Sequence, residues 1–588
     1  MSYLATRPER PVAARDVRRA GVAAAAFVAL VAALLVFVAP AGAETVPLPL
    51  PEGPSLTTSP TPALTDLTLQ PAPVPPGCWT WAMPRRYDAD PDRDGLFDEH
   101  VTAAFVNPSS WSLILIDNCF PDSTPLGAVE RRWTVSTPIP TVVVTRSSRV
   151  TTSVPRLGTY TIHFEHRFVT AAGASAWVDD GTVDATMRDF LIVSLGDSIA
   201  AGEGNPDRAA TASSGPVWQS PVCRRSRNSG HALAAQSLED RSTQSSVTFV
   251  HVACSGATIT QGILGSYQGA DPAAGPTQAP QASQALTLLD RNLDGKPDRA
   301  ASAVLVQVGA NDIKFRDMVL KCVFLGQTSA QIWNDFAQGW NDVLAGISPV
   351  ATFLAGLPHI LECNDPTASL SLADAAVVSS FVNSGCLRFF RDPDDGIGFT
   401  EQACNFLAGL YDMMPSTIDS SAGQFAALAP RITNGYAAMR SSVDLLAGFH
   451  ADRVIVTGYQ NVANNLDGNP CDPLLGWLDP ANWNLAYIDH VLPFVSGNEY
   501  AWASGRLIPA LNTRVENAAV ANEWQFVQNS QSFVRGGYCA PDGARMVRGF
   551  FESLRVQGNP FGILHPNARG NRAMANNLIP VIGATVGA

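Results

Sequence analysis

Residues Phe190 to Gly204 read FLIVSLGDSIAAGEG. An apolar run of strand character ends in a turn of small residues, and Ser198 sits on that turn. Three familiar uses of such a junction fail. A phosphate-binding loop needs GxxxxGK[ST], and this turn has no lysine, while Asp197 and Glu203 would repel a phosphate. A dinucleotide turn needs GxGxxG, which the spacing does not supply. A GxSxG nucleophile elbow fails because Ala200 stands at its last glycine. A serine nucleophile would still need a base to remove its proton and donors for the oxyanion formed on attack of an ester carbonyl. The rest of the chain must supply both.

Beyond residue 188, short apolar runs at FLIVSL, VTFVHVA, AVLVQVG, RVIVTG and WQFV alternate with longer helical segments. Strands that are apolar throughout and separated by helices predict a parallel, doubly wound α/β sheet. In such sheets the chemistry gathers at the carboxyl ends of the strands. A segment from about 313 to 450 breaks the rhythm. It carries helical patterns, one with Ile332, Trp333, Phe336, Trp340, Val343 and Leu344 on one face and another opening at Ser371 with Asp374 three residues on. It reads as a large helical insertion, either a lid and acyl-binding wall or ordinary packing helices.

Two further strand ends and one C-terminal loop supply what the serine needs. The second strand ends at Ala253-Cys254-Ser255-Gly256-Ala257-Thr258, where a glycine lets a backbone N–H approach a ligand. The third ends at Gly309-Ala310-Asn311-Asp312, which offers a side-chain amide. Near the C-terminus, Gly562-Ile563-Leu564-His565-Pro566-Asn567 places a histidine in a loop before a helical stretch. His231, His251 and His450 lack that context and read as packing or surface residues.

In this order the blocks resemble the GDSL, or SGNH, hydrolase superfamily, whose four signature residues would be Ser198, Gly256, Asn311 and His565. Cys223-Arg224-Arg225-Ser226, ACSGAT, GANDIKF and HPNARG are similar to the secreted actinobacterial esterase/lipase branch. The resemblance covers roughly residues 188 to 585, less the insertion. It implies a flavodoxin-like, three-layer SGNH domain. Ser198 would attack the carbonyl, His565 would act as base and then acid, and the Ser198 and Gly256 N–H groups with the Asn311 side chain would form the oxyanion hole. No cofactor is implied for the chemistry. One position departs from the pattern: the usual DxxH has an aspartate where this chain has Gly562. A backbone carbonyl, that of Gly562 for instance, would then orient the imidazole, or else Glu552 or Asp542 would reach it. Cys223 and Cys254 flank the first two blocks and would brace the site as a disulfide; Cys471 with Cys539 is a second expected pair, leaving Cys322, Cys363, Cys386 and Cys404 to pair locally.

The remaining sequence frames this domain. Five arginines precede an apolar run from Ala20 to Val38 and then Ala41-Gly42-Ala43, so residues 1–43 read as an export signal, with a membrane anchor over residues 20–38 as the alternative. Residues 44–76 are Pro/Ser/Thr-rich and read as a linker. Residues 77–187 alternate in short runs such as WSLILID and TVVVT, which predicts a small antiparallel β-sandwich bridged by Cys78 and Cys119, its only cysteines. That module would act as a spacer or contact a glycan or cell surface. The SGNH domain takes 188–588. Ten cysteines without CxxC pairs suit an oxidising destination. With a net charge of −13 and 15% charged residues, the chain has no electrostatic footprint for nucleic acid.

Two acidic loops share the spacing DxDxDGxxD, with one Asn: Asp90, Asp92, Asp94 and Asp98, and Asp290, Asn292, Asp294 and Asp298. Such oxygens suit a structural calcium ion, although Val101 and Ala301 stand where an EF-hand has its bidentate glutamate. The whole predicts a monomeric, exported esterase or lipase acting on an ester or lipid. A carbohydrate or small-ester deacetylase on the same scaffold and a catalytically idle surface-binding protein are the competing readings.

Overall fold

In a computed structural model the parallel sheet of the C-terminal domain grows from one strand of unusual length. The structure describes residues 77–87, 101–120, 128–171, 173–211, 213–316, 318, 417–471 and 497–587. In chain order its strands are β1 (Trp79–Ala82), β2 (Trp111–Asp117), β3 (Ala128–Val135), β4 (Thr141–Thr145), β5 (Arg149–Val154), β6 (Gly158–Thr170), β7 (Gly173–Ala174), β8 (Val178–Gly196), β9 (Ser245–His251), β10 (Ala303–Gln307), β11 (Val454–Thr457) and β12 (Gln525–Val527). Its helices are α1 (Ala103–Val106), α2 (Ser198–Ala201), α3 (Gly230–Glu239), α4 (Gln281–Leu289), α5 (Thr417–Leu428), α6 (Pro430–Leu446), α7 (Gly497–Trp502), α8 (Ile508–Ala521), α9 (Phe550–Gln557) and α10 (Ala568–Val586).

The five strands expected after residue 188 fall on β8 to β12. They pair in parallel in the order β9-β8-β10-β11-β12. Counted from β8, that is the flavodoxin-like order 2-1-3-4-5, in which the strand sequence reverses between β8 and β10. Alternation along each strand divides the side chains between two helix layers. Phe190, Ile192, Leu305, Ile455 and Val527 share a core with α3 residues and with Ala575, Leu578 and Ile582 of α10. Leu191, Val193, Val304, Val306, Val454 and Val456, also fully buried, point to the opposite face, where α4 packs on β8 and α8 on β11. Burying each such side chain contributes about 1.5–3 kcal/mol.

Residues 77–187 form antiparallel sheet on both sides of a second core. β1, β2 and β5 make a three-stranded sheet, and β4, β3 and β6 pair onward to the first half of β8. Trp81, Leu113 and Val154 from one sheet meet Trp133, Phe164 and Met187 from the other. Trp133 and Phe164 stack with their ring centroids 4.0 Å apart. Cys78 and Cys119 are disulfide-bonded here.

The boundary expected at 187/188 falls inside β8. Residues 178–187 pair with β6, and 188–196 pair with β9 and β10. The two halves read as separate strands in sequence because one alternates and the other is buried on both faces. Asp189 braces the crossing point. Its buried carboxylate accepts hydrogen bonds from the hydroxyls of Ser246 (2.6 Å) and Thr248 (2.7 Å) and pairs with Arg299 (2.7 Å) and Arg86 (3.3 Å). Both guanidiniums lie over Trp111 of β2.

A second correction concerns the insertion. Its expected helical faces around residues 332–344 and 371–374 lie outside the described residues, as do residues 1–76. The C-terminal end of the expected span is α6, which connects β10 to β11 and whose Tyr436 hydroxyl donates to the Val308 carbonyl at 3.0 Å. It is a crossover helix between two neighbouring strands of the sheet. Among the described residues no helix is long and apolar enough to cross a membrane.

Replacing Asp189 by alanine removes the carboxylate that faces two partly buried guanidiniums, and breaking such a pair from one side costs about 3–5 kcal/mol. Chemical denaturation of Asp189→Ala should show a loss of that size, and a loss below about 1 kcal/mol would contradict the bracing role.

Candidate active site

The site assembles where the strand order reverses. β8 ends at Gly196, which lies opposite Gln307 at the end of β10. A side chain on Gly196 would place its Cβ 2.3 Å from the Gln307 carbonyl oxygen, so close pairing of the two strands needs glycine. The Gln281 amide clamps this residue from the start of α4, accepting from the Gly196 N–H and donating to its carbonyl, both at 2.8 Å. The Asp197 N–H then donates to the Gln307 carbonyl at 2.9 Å.

Asp197 caps α2, accepting from the Ile199 N–H at 3.0 Å, and Ser198 is the first residue of that helix. The other Asp197 oxygen accepts from the Tyr459 hydroxyl at 2.6 Å, and that hydroxyl accepts in turn from the Ala310 N–H at 3.0 Å. The Ser198 turn is thereby joined to the loop that carries Asn311. Burial pushes the Asp197 carboxyl up to about 7, against the opposing hydrogen bond from Tyr459.

The structure brings Ser198 and His565 together, with Ser198 Oγ 2.8 Å from His565 Nε2. Nδ1–H donates to the Ile563 carbonyl at 3.0 Å, which leaves the Nε2 lone pair facing the serine hydroxyl. The expected carbonyl orientation therefore comes from Ile563. The Gly562 carbonyl accepts the His565 N–H instead. Glu552 pairs with Arg545 and Arg548, and Asp542 with Arg545. Burial lowers the imidazole pKa below its usual 6.5, with Glu203 the strongest opposing influence. Leu564, just before the histidine, is held at φ +64°, a conformation that costs a non-glycine residue roughly 1–2 kcal/mol.

Gly256 and Asn311 lie side by side. The Asn311 amide donates one N–H to the carbonyl of Ala257 at 3.0 Å, and the second N–H stays available to a ligand. Asp312 ties the same loops together, accepting from the Ile259 N–H at 3.1 Å, with its carboxyl pushed up to about 6 by burial. Gly256 has φ +82°, and a Cβ there would lie 2.1 Å from the Tyr267 hydroxyl. Behind it, Cys223 and Cys254 are disulfide-bonded and pack with Ala257 and Tyr267. Cys471 and Cys539 form a further disulfide.

Sequence reasoning missed Gln281, Tyr459 and Glu203 as parts of the site. Their partners lie 85 and 262 residues away in the first two cases, beyond any local pattern. The aspartate before the serine did carry a signal, since Asp at a strand-to-helix junction is a preferred N-cap.

The second acidic loop turns on its own backbone. Asp290 accepts from the N–H groups of Asp294 (3.1 Å) and Gly295 (2.7 Å), and Asp298 from those of Arg291 (2.6 Å) and Asn292 (3.0 Å). Among the described residues no group of three or more His, Cys, Asp or Glu side chains is placed to hold a metal ion. The first loop, Asp90 to Asp98, lies outside the described residues. His231 is packed between Ser194 (2.8 Å) and Thr457 (3.5 Å), His251 is buried, and His450 is exposed.

Three solved structures are similar to the chain at low identity. An extracellular lipase from Streptomyces rimosus shares 17% identity at a TM-score of 0.31, over 67% of this chain and 99% of that one. A phospholipase A1 from Streptomyces albidoflavus shares 15% at 0.30, over 67% and 99%. A family two carbohydrate esterase from Clostridium thermocellum shares 12% at 0.26, over 82% and 93%. No protein-family model matches the sequence, and no curated protein matches it.

Gly562 is buried against α9. A Cβ there would meet Ser553 Oγ and Gln557 Oε1, each at 2.9 Å, and Gln557 Oε1 also receives the Gly204 N–H at 3.0 Å. Gly562→Asp should therefore disturb the histidine loop. The expected result is a fall in esterase turnover of about tenfold or more and a lower thermal midpoint, since overpacking costs about 1–3 kcal/mol. Raised turnover would mean that the position can accept the missing acid.

Proposed function

We propose that the chain is an exported carboxylic-ester hydrolase working through an acyl-enzyme on Ser198. The observation that carries this reading is the 2.8 Å contact between Ser198 Oγ and a His565 Nε2 whose ring is oriented by the Ile563 carbonyl at 3.0 Å. Ser198 Oγ attacks the ester carbonyl carbon while its proton passes to Nε2. The oxygen that gains charge meets the Ser198 N–H, the Gly256 N–H and the free amide N–H of Asn311, and each such donor contributes about 3 kcal/mol. As the tetrahedral species collapses, Nε2 returns the proton to the leaving alkoxide and the alcohol departs. Water then attacks the acyl carbon, giving a proton to Nε2; as the C–Oγ bond breaks, Nε2 returns that proton to Ser198 Oγ and the carboxylic acid leaves. The balance is ester plus water to acid plus alcohol. Export is supported by three disulfides among the described residues, since disulfides persist in oxidising compartments.

Hydrolysis of p-nitrophenyl esters from C2 to C16 should be detectable in the wild type. It should fall by at least ~10³-fold in Ser198→Ala and in His565→Ala, with the fold intact by circular dichroism. A sharp maximum at acetate would favour the deacetylase over the lipase. Retained turnover in Ser198→Ala, or no labelling of Ser198 by a fluorophosphonate, would leave the protein without this function.

The base works only when unprotonated. Because burial holds the His565 pKa below 6.5, kcat/KM should rise with pH along an acid limb whose midpoint lies below 6.5 and stay level through neutrality. A limb centred above 6.5 would mean that the imidazole is not desolvated as described.

A further inference from the structure

Glu203 occupies a place that the chemistry described above does not use. Five residues beyond the nucleophile, its carboxylate Oε2 lies 3.9 Å from His565 Nε2, the nitrogen that faces Ser198. Its side chain is 6% exposed and that of His565 19%, so little water stands between them. The other oxygen, Oε1, is paired with Arg224, whose guanidinium lies 4.3 Å above the Phe561 ring.

The local chain is shaped to put the acid there. Helix α2 ends at Gly202 with φ +88°, and a Cβ at that position would meet the Ser229 side chain at 2.8 Å. The Glu203 N–H donates to the carbonyl of Ser198 at 3.0 Å, so the acid is tied to the nucleophile's own backbone. Gly204 follows, also at φ +88°, where a Cβ would lie 3.0 Å from that of His565. The two glycines let the chain fold back beneath the imidazole.

A buried imidazole that takes a proton becomes a cation with little solvent to stabilise it. Among the described residues, the charged groups bearing on this ring are Glu203, Arg224 and Arg316. The two arginines oppose the cation, and Glu203 favours it. We propose that Glu203 is a positioning residue for the reaction, supplying from the Nε2 side the negative charge that an aspartate three residues before the histidine would have supplied from the Nδ1 side. This rests on the Ser198–His565 reading of the site. At 3.9 Å the carboxylate acts through its field and leaves Nε2 free to accept the serine proton. Arg224 holds it in that posture by binding the other oxygen.

The test uses the full-length protein, with p-nitrophenyl butyrate as substrate from pH 4 to 9. Glu203→Gln keeps the shape and loses the charge. Its kcat on the plateau should fall about 10–100-fold with KM changed less than threefold, and the acid limb of kcat/KM should move to lower pH by about one to two units. Glu203→Asp, which retains the charge at a greater distance, should lie between wild type and Glu203→Gln in both respects. A limb that stays in place in Glu203→Gln overturns the proposal, even if turnover falls. So does an unmoved limb in Glu203→Asp, should Glu203→Gln fail to fold by circular dichroism. The underlying reading fails separately: wild-type Ser198 would then resist fluorophosphonate labelling whatever the Glu203 variants do.

Discussion

The pairing of β8 with β10 decides where the turn that carries Ser198 leaves the sheet. Gly196 must lie flat against Gln307, and the Asp197 N–H bonds to the same residue, so the Ser198 turn leaves the sheet at one place and in one direction. The loop after β10 starts beside it and presents Asn311. A one-residue slip in this register would carry the side chains of β8 from one helix layer to the other and bring a residue with a side chain against the Gln307 carbonyl where Gly196 now lies. The Asp197, Tyr459 and Ala310 chain of hydrogen bonds then joins the two strand ends above the sheet.

Much of this arrangement was legible in the sequence. The strands of a doubly wound sheet are apolar along their whole length, which made β8 to β12 stand out, and Ser198, Gly256, Asn311 and His565 each follow a strand or precede a helix in a distinctive local context. What remained hidden depends on distant partners. Gln281 grips Gly196 across 85 residues, and neither has a local feature that points to the other. The unity of β8 was hidden for another reason. Its first half alternates as an antiparallel strand with one wet face, its second half is buried on both, and a change of texture looks like a boundary.

The imidazole of His565 is held without an acid three residues before it. Where the usual pattern has an acid, this chain has a glycine with Ser553 and Gln557 packed against it. The ring is oriented by a carbonyl, which fixes its tautomer without adding a full charge. Burial and two arginines then work against protonation, and one carboxylate works for it. The Ile563 carbonyl holds the ring at Nδ1, and the Glu203 carboxylate lies 3.9 Å from Nε2 on the other side.

The continuity of β8 has a mechanical consequence. A strand of 19 residues extends for about 60 Å, its first half paired with β6 and its second with β9 and β10. The antiparallel sheet of the N-terminal module and the turn that carries Ser198 thus share one continuous strand. A surface that held the first half of β8 would hold the same strand from whose end the Ser198 turn departs.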